Sequence, residues 1–414
     1  MRRLLSGYLV IESSMLLNGA TTGMHLADLG ADVVKIESPF LGDYIRIDAT
    51  KHLHVQVNRG KRSLALDLRS EAGREVLHRL LARADVLVTN ARGDANSRIG
   101  LGYDQVREIK PDIVYCQNTG YGRAGPYGLL PTHGQMMDAL AGGLPFEMDD
   151  EGLTRPVAVA RRTGTMTTGG EGTAAGAVQA ALHIAAGLAH RERTGEGCYL
   201  DVSSAEAVLA GAWTAACGQL NVPAERRWHT DPERARAVAR YQSYRAADGR
   251  FLLFCPEEDR FWHRFCDAVD RPDLKDRQNG VSLRHELQAV FDTRTLAEWM
   301  DFAVATDVPL GPAYTDMSEI REDPQIRARE ILVDGLDPDG KPFTHIGSPV
   351  MVSGQPFEVG GPAPNLGEHT DAVLAELGYP PEEIARLAAD RVTTSTTREE
   401  RIPGNLYGEE STEA

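Results

Sequence analysis

Cysteine is scarce in this chain, with five in 414 residues, and none of the five (Cys116, Cys198, Cys217, Cys255 and Cys266) stands at metal-knuckle spacing from another. This argues against a zinc site and against a disulfide framework, and it implies reduced, largely buried thiols in a cytoplasmic protein. Positive charge is also short. Forty-four Lys and Arg against sixty Asp and Glu leave a net charge of −16, a field that repels nucleic acid and anionic membrane surfaces. Unbroken apolar runs are missing: the N-terminal Met1-Arg-Arg-Leu-Leu-Ser-Gly-Tyr-Leu-Val-Ile-Glu12 loses its apolar character within a few positions, and no later run approaches the ~20 apolar residues of a membrane span. Residues 12–23 do not supply Gly-x-Gly-x-x-Gly after the first strand, which argues against NAD or FAD.

The first two hundred residues alternate short apolar strands with helices. Tyr8–Ile11, Asp32–Ile36, Ser63–Leu68, Asp85–Thr89 and Asp112–Cys116 read as strands, and Asp32-Val-Val-Lys-Ile36 is of the nearly continuous apolar kind that parallel sheets bury on both faces. Thr22–Leu29, Glu71–Leu81 and Tyr103–Ile109 read as helices between them. This pattern predicts a doubly wound parallel α/β sheet, with ligands bound beyond the carboxyl ends of its strands: Asn18-Gly19, Glu37 to Arg46, Asn90 to Asp94 and the 118–126 turn. A polar, charge-dense passage near 220–240 separates this large domain, 1–220, from a smaller α+β domain, 221–330. Residues 331–392 return to the large domain, and 393–414 read as a disordered tail.

Two stretches carry chemistry. Lys51 with Asn58-Arg59-Gly60-Lys61-Arg62 puts four positive groups in twelve positions, enough to hold an anionic small ligand on an acidic chain. Residues 166–200 set a glycine-rich turn, with a single carboxylate at Glu171, before a long Ala-rich helix. The turn Gly120-Tyr-Gly-Arg-Ala-Gly-Pro126 adds a second open loop.

The motifs Leu26-Ala-Asp-Leu-Gly-Ala-Asp-Val-Val-Lys-Ile-Glu37, Gly42-Asp43 with Arg46, Asn58 to Leu68, Asn90-Ala-Arg92, Gly120 to Pro126 and His190-Arg-Glu-Arg-Thr-Gly-Glu-Gly197 together resemble the family III CoA transferases, the CaiB/BaiF group. Val308-Pro-Leu-Gly-Pro312, Gly347-Ser-Pro349 and Leu366-Gly-Glu-His-Thr370 extend the resemblance almost end to end. It implies an interlocked dimer of threaded ring-like subunits, each with a large doubly wound domain and a small domain. It also implies movement of CoA from an acyl-CoA to a small carboxylic acid, with coenzyme A or acyl-CoA as substrate and no permanently bound cofactor or metal. In the family an aspartate attacks the thioester, forms a mixed anhydride and passes through an aspartyl-CoA thioester.

The resemblance further implies CoA contacts at Asn18, Gly19, Arg46, Arg59, Lys61, Arg62 and Arg92. Counting back from Thr194-Gly195, the position of the nucleophile falls on Thr173; a frame shifted by six places it on Thr167. Neither is a carboxylate. Glu171 and His133 are the local groups that remain, and His133 falls on the histidine of the family's racemases but is followed by Gly134 rather than aspartate. The expectations are therefore a transferase chain that works alone or as the subunit lacking the Asp in a mixed dimer with an Asp-bearing paralogue. An acyl-CoA racemase or isomerase and a non-catalytic CoA-binding structural or regulatory protein are the alternatives.

Overall fold

Strands that are apolar along their whole length can be satisfied only by cover on both faces. The computed structural model, which describes residues 3–143, 146–156, 171–223 and 236–395, provides that cover. Its chain divides into two compact units, Met1–Trp213 with Glu330–Ala414, and Thr214–Arg329. In the first, β1 (Leu9–Ser13), α1 (Leu17–Asp28), β2 (Asp32–Glu37), α2 (Lys51–Asn58), β3 (Arg62–Leu66), α3 (Glu71–Leu81), β4 (Val86–Thr89), α4 (Tyr103–Ile109) and β5 (Val114–Thr119) follow one another. Then come α5 (Met136–Leu140), the antiparallel hairpin β6 (Phe146–Met148) and β7 (Thr154–Pro156), α6 (Glu171–Thr194), β8 (Cys198–Ser203) and α7 (Ser204–Gly211).

The second unit is a three-stranded antiparallel sheet of β9 (Gln242–Arg245), β10 (Phe251–Phe254) and β11 (Leu310–Ala313), with β10 in the middle. Helices Asp259–Ala268, Val281–Phe291 and Leu296–Thr306 accompany it, around a core of Tyr244, Phe254, Trp262, Phe265, Phe291 and Trp299. The chain then returns to the first unit through the hairpin β12 (Leu332–Leu336) and β13 (Pro342–Ile346) and ends its described course at β14 (Thr393–Thr394). Thr393 and Thr394, expected to begin the tail, instead pair antiparallel with Leu66 and Ala65 of β3.

The large sheet has the order β14-β3-β2-β1-β4-β5-β8. All neighbours are parallel except β14. One face packs Ile11, Val34, Leu64 and Leu87 on Val76, Leu77 and Leu80 of α3 and Val106 of α4. The other packs Val10, Val33, Val86 and Val114 on Leu26 of α1 and Ala180, Ile184 and Leu188 of α6. Against the expectation that no run approaches a membrane span, residues Gly172–Thr194 of α6 are long and apolar enough by length and composition to cross a membrane. The burial of Ala177, Ala180, Ile184 and Leu188 is that of a core helix.

A buried clasp joins the end of β2 to the returning C-terminal segment. Arg46 makes a two-pronged ion pair with Glu37, at 2.9 Å from Nε and 2.6 Å from Nη2, and donates from Nη1 to the carbonyl of Pro364 at 2.9 Å. Ser63 Oγ donates to Glu37 at 3.0 Å and accepts the Gly367 N–H at 2.9 Å. Burial pushes the Glu37 carboxyl upward, but the charge and hydrogen bonds of Arg46, joined by Lys35, outweigh it and hold the group at about 2. Nearby His54 is held neutral, down to about 3, by burial first and by Arg46 next.

Both groups bind protons more readily in the unfolded chain, so both make stability fall with pH, His54 from 6.5 toward about 3 and Glu37 from 4.5 toward about 2. Urea unfolding across pH 8 to 2 is expected to show this acid limb. Glu37→Gln should shrink the part below pH 4.5 and, by leaving Arg46 buried without its charge partner, destabilise the protein at pH 7 by about 3–5 kcal/mol. An acid limb unchanged in the variant would contradict the assignment.

Candidate functional site: a crevice at the switch point of the sheet

In the order β3-β2-β1-β4-β5 the chain builds outward in one direction from β1 and then in the other. The loops leaving β1 and β4 therefore diverge, and a crevice opens beyond the carboxyl ends of the strands. Here it has a volume of about 590 Å³. Its walls are Ser13–Leu16 and Asn18 after β1, Ile36–Ser38 and Leu41–Tyr44 after β2, Leu66–Arg69 after β3, Asn90–Arg92 after β4, and Asn118–Tyr121 with Leu130–His133 after β5.

The floor rests on buried charge. Glu12 is wholly buried and accepts from Lys35 Nζ at 2.8 Å, Lys61 Nζ at 2.6 Å and Ser14 Oγ at 2.8 Å. Lys35 also reaches Asp43 at 3.2 Å and the Ser14 carbonyl at 3.0 Å. Burial raises the Glu12 carboxyl, but the two lysines outweigh it and leave it low. The lysines themselves move in opposite directions. Burial lowers both, but Lys35 has Asp43 and Glu37 beside it in addition to Glu12 and ends raised. Lys61, whose main partner is shared, is lowered to about 8.

Both oxygens of Asp43 accept the N–H of Leu16 at 3.1 Å. Leu16 has φ 61° and ψ −144°, a conformation that costs a non-glycine residue about 1–3 kcal/mol. The ion network thus holds the first crevice loop in a shape it would not choose alone, and α1 starts from it with Asn18 in its first turn.

Asn18 connects the crevice to the start of α6. Thr173 is 7% exposed and its hydroxyl donates to Asn18 Oδ1 at 3.2 Å. Asn18 Nδ2 donates to Ser204 Oγ at 3.0 Å, and Ser204 Oγ donates to Asn118 Oδ1 at 3.1 Å. Glu171 is the first residue of α6. Thr167 lies outside the described residues. His133 is exposed on the crevice wall.

Of the cations expected to meet CoA, Arg92 alone lies in the crevice wall. It is exposed and makes no ion pair with the described residues. Arg46 is in the clasp, and Arg59 is buried in a two-pronged pair with Asp28 at 3.0 and 2.6 Å. Lys61 is under the floor, and Arg62 bridges Asp32 at 2.5 Å and Glu376 at 2.8 Å. Lys51 pairs with Asp339. The basic run therefore forms no common patch, because each member answers a carboxylate brought to it by the fold. Gly19 acts by clearance, since a Cβ there would lie 2.3 Å from Ser14 Cβ. Arg69, which the sequence reading did not single out, lines the crevice, stacks over Phe40 and pairs with Asp67 at 3.2 Å. Its only signal was its place just beyond β3.

A crevice with guanidinium groups in its wall, apolar side chains such as Leu41, Leu68 and Leu130 along it, and amides and hydroxyls at its inner end suits a long ligand, anionic at one end and uncharged along its length. The sequence matches the profile of CoA-transferase family III over residues 5–370. It is 30% identical over 416 residues to the succinate–glutarate CoA-transferase of Agrobacterium fabrum, covering 93% of this chain and 97% of that protein. It is 33% identical over 398 residues to the succinyl-CoA:mesaconate CoA-transferase of Haloarcula hispanica, covering 89% and 95%. A crystal structure of a CaiB/BaiF family protein from Brucella suis superposes with a TM-score of 0.70 at 26% identity, over 91% of this chain and 100% of that one. The chain belongs to CoA-transferase family III.

Proposed function

We propose that this chain transfers CoA between an acyl-CoA and a carboxylic acid, with the phosphates of CoA at Arg92 and Arg69 and the thioester directed toward Asn18 and His133. The crevice carries this reading: it lies at the switch point of a family III fold and presents guanidinium groups in its wall on a chain whose net charge is −16. Arginine suits the task because its planar fork binds phosphate oxygens in pairs. Asn18 meets the ligand directly, and Gly19, Arg46, Arg59, Lys61 and Arg62 serve it by holding the walls. The free state of all five cysteines fits a reducing, cytoplasmic setting.

Calorimetry with CoA or acetyl-CoA should give a micromolar or tighter Kd. Arg92→Ala should weaken it about 10- to 100-fold, the loss of one charge-assisted hydrogen bond at ~1.5–3 kcal/mol. Absence of binding by the unaltered chain would remove the reading.

The neutral, buried Thr173, with its hydroxyl given to Asn18, favours a second reading in which an Asp-bearing paralogue supplies the nucleophile in a mixed dimer. Co-expression with such a paralogue would then create an exchange activity that neither chain has alone.

Assembly is part of the proposal. Val178 and Leu182 of α6 are 51% and 59% exposed, Leu209 of α7 is exposed, and Trp213, four residues further on, is 62% exposed. Large exposed apolar side chains on α6 and α7, which pack on each other, are of the kind a partner covers, and an interlocked dimer would cover them with far more than the ~2,000 Å² of a standard contact. Native mass spectrometry at micromolar concentration should find dimers that dilution does not release, with unfolding coupled to dissociation. A compact, folded 45.1 kDa monomer with no dimer present would refute the interlocked assembly.

A further inference from the structure

Position 173 carries no charge, yet a carboxylate stands next to it. Asp138 of α5 is 2% exposed, and its Oδ1 accepts the N–H of Gly172, the residue before Thr173, at 2.9 Å. The two helices meet there without clearance: a Cβ on Gly172 would lie 2.6 Å from Met137 Cβ. This junction is joined to the crevice through Asn18. Asn18 lines the crevice, its Nδ2 contacts Met137 Sδ at 3.6 Å, and its Oδ1 takes the Thr173 hydroxyl at 3.2 Å.

We propose that Asp138 is the catalytic carboxylate of this chain, delivered to the start of α6 from α5. The inference rests on the reading that the chain transfers CoA. The first turn of α6 favours an anion at this place, because its backbone N–H groups and the helix dipole stabilise both the carboxylate and the oxyanion that forms on attack.

One oxygen of Asp138 attacks the thioester carbon of the acyl-CoA. A C–O bond forms, the C–S bond breaks, and CoA leaves as the thiolate with the electron pair. The thiolate attacks the Asp138 carbonyl of the mixed anhydride and expels the donor acid as its carboxylate, leaving an Asp138–CoA thioester. The acceptor carboxylate attacks that thioester and again releases the thiolate, which then attacks the acceptor's acyl carbon. The products are a new acyl-CoA and the original Asp138 carboxylate. No oxidant or water is consumed, and protons balance.

A purely structural Asp138 would cap α6, and asparagine caps a helix as well as aspartate does. Asp138→Asn therefore separates the two roles. With the purified full chain, acetyl-CoA or succinyl-CoA as donor and a panel of carboxylic acids as acceptors, exchange should fall on the order of 10³-fold or more in the variant. Its CoA affinity and Tm should stay close to those of the unaltered chain. A measurement that needs no variant is hydroxylamine trapping during turnover, followed by peptide mass spectrometry, which should place the hydroxamate on Asp138. Retained exchange in Asp138→Asn, a hydroxamate on Glu171 or another residue, or exchange that appears only with an Asp-bearing paralogue would each overturn the proposal while leaving the CoA crevice intact. Failure of the unaltered chain to bind CoA would overturn both.

Discussion

Glu12, buried beneath the crevice, holds two lysines at once, and the shape of the ligand-binding end depends on that arrangement. A buried carboxylate stripped of partners costs several kcal/mol, so the positions of Lys35 on β2 and of Lys61 before β3 are set by it. Lys35 passes the constraint to Asp43, and Asp43 passes it to the strained Leu16. The helix above must also yield: a Cβ on Gly23 would lie 2.0 Å from Glu12 Oε2. Two strands, the turn before β3 and the start of α1 are thereby locked around one carboxylate, and Asn18 is placed as a result.

The same logic explains why a basic run in an acidic chain does not become a binding patch. Acids that fall in the interior need cations, and Arg46, Arg59 and Lys61 are close enough in the fold to answer Glu37, Asp28 and Glu12. What is left for a ligand is Arg92 and Arg69, each just beyond the carboxyl end of a strand. Attraction of an anion then depends on which cations stay exposed at the crevice, Arg92 without an ion pair among the described residues and Arg69 with only a surface pair to Asp67, not on how many the sequence clusters.

The start of α6 sets a carboxylate from another helix beside a position that carries none. Thr173 occupies the position where the resemblance expects a carboxylate, and its hydroxyl is drawn into a chain of Asn18, Ser204 and Asn118. Asp138 brings a carboxylate to the adjoining amide from another helix. A helix N-terminus accepts an anion from any segment that reaches it, so the carboxylate that meets α6 need not come from α6 itself.

The sequence by itself determined the doubly wound sheet, because apolar runs such as Asp32–Ile36 can be buried only between two layers, and the helix Glu71–Leu81 was legible from its apolar spacing. It also determined the family and most of the loops that line the crevice, though not Leu66–Arg69 after β3. It did not reveal α2, whose stretch was read only as part of a cluster of positive groups, since its inward positions include His54 and Asn58, a polar pair one helical turn apart that bond to each other at 2.9 Å. Such a pair leaves no apolar stripe to read. Nor could it show which cations are internal, or that Asp138 meets Gly172. These are contacts between segments distant along the chain, and only tertiary packing decides them, because a charge's role is set by the partner that folding brings within hydrogen-bonding distance.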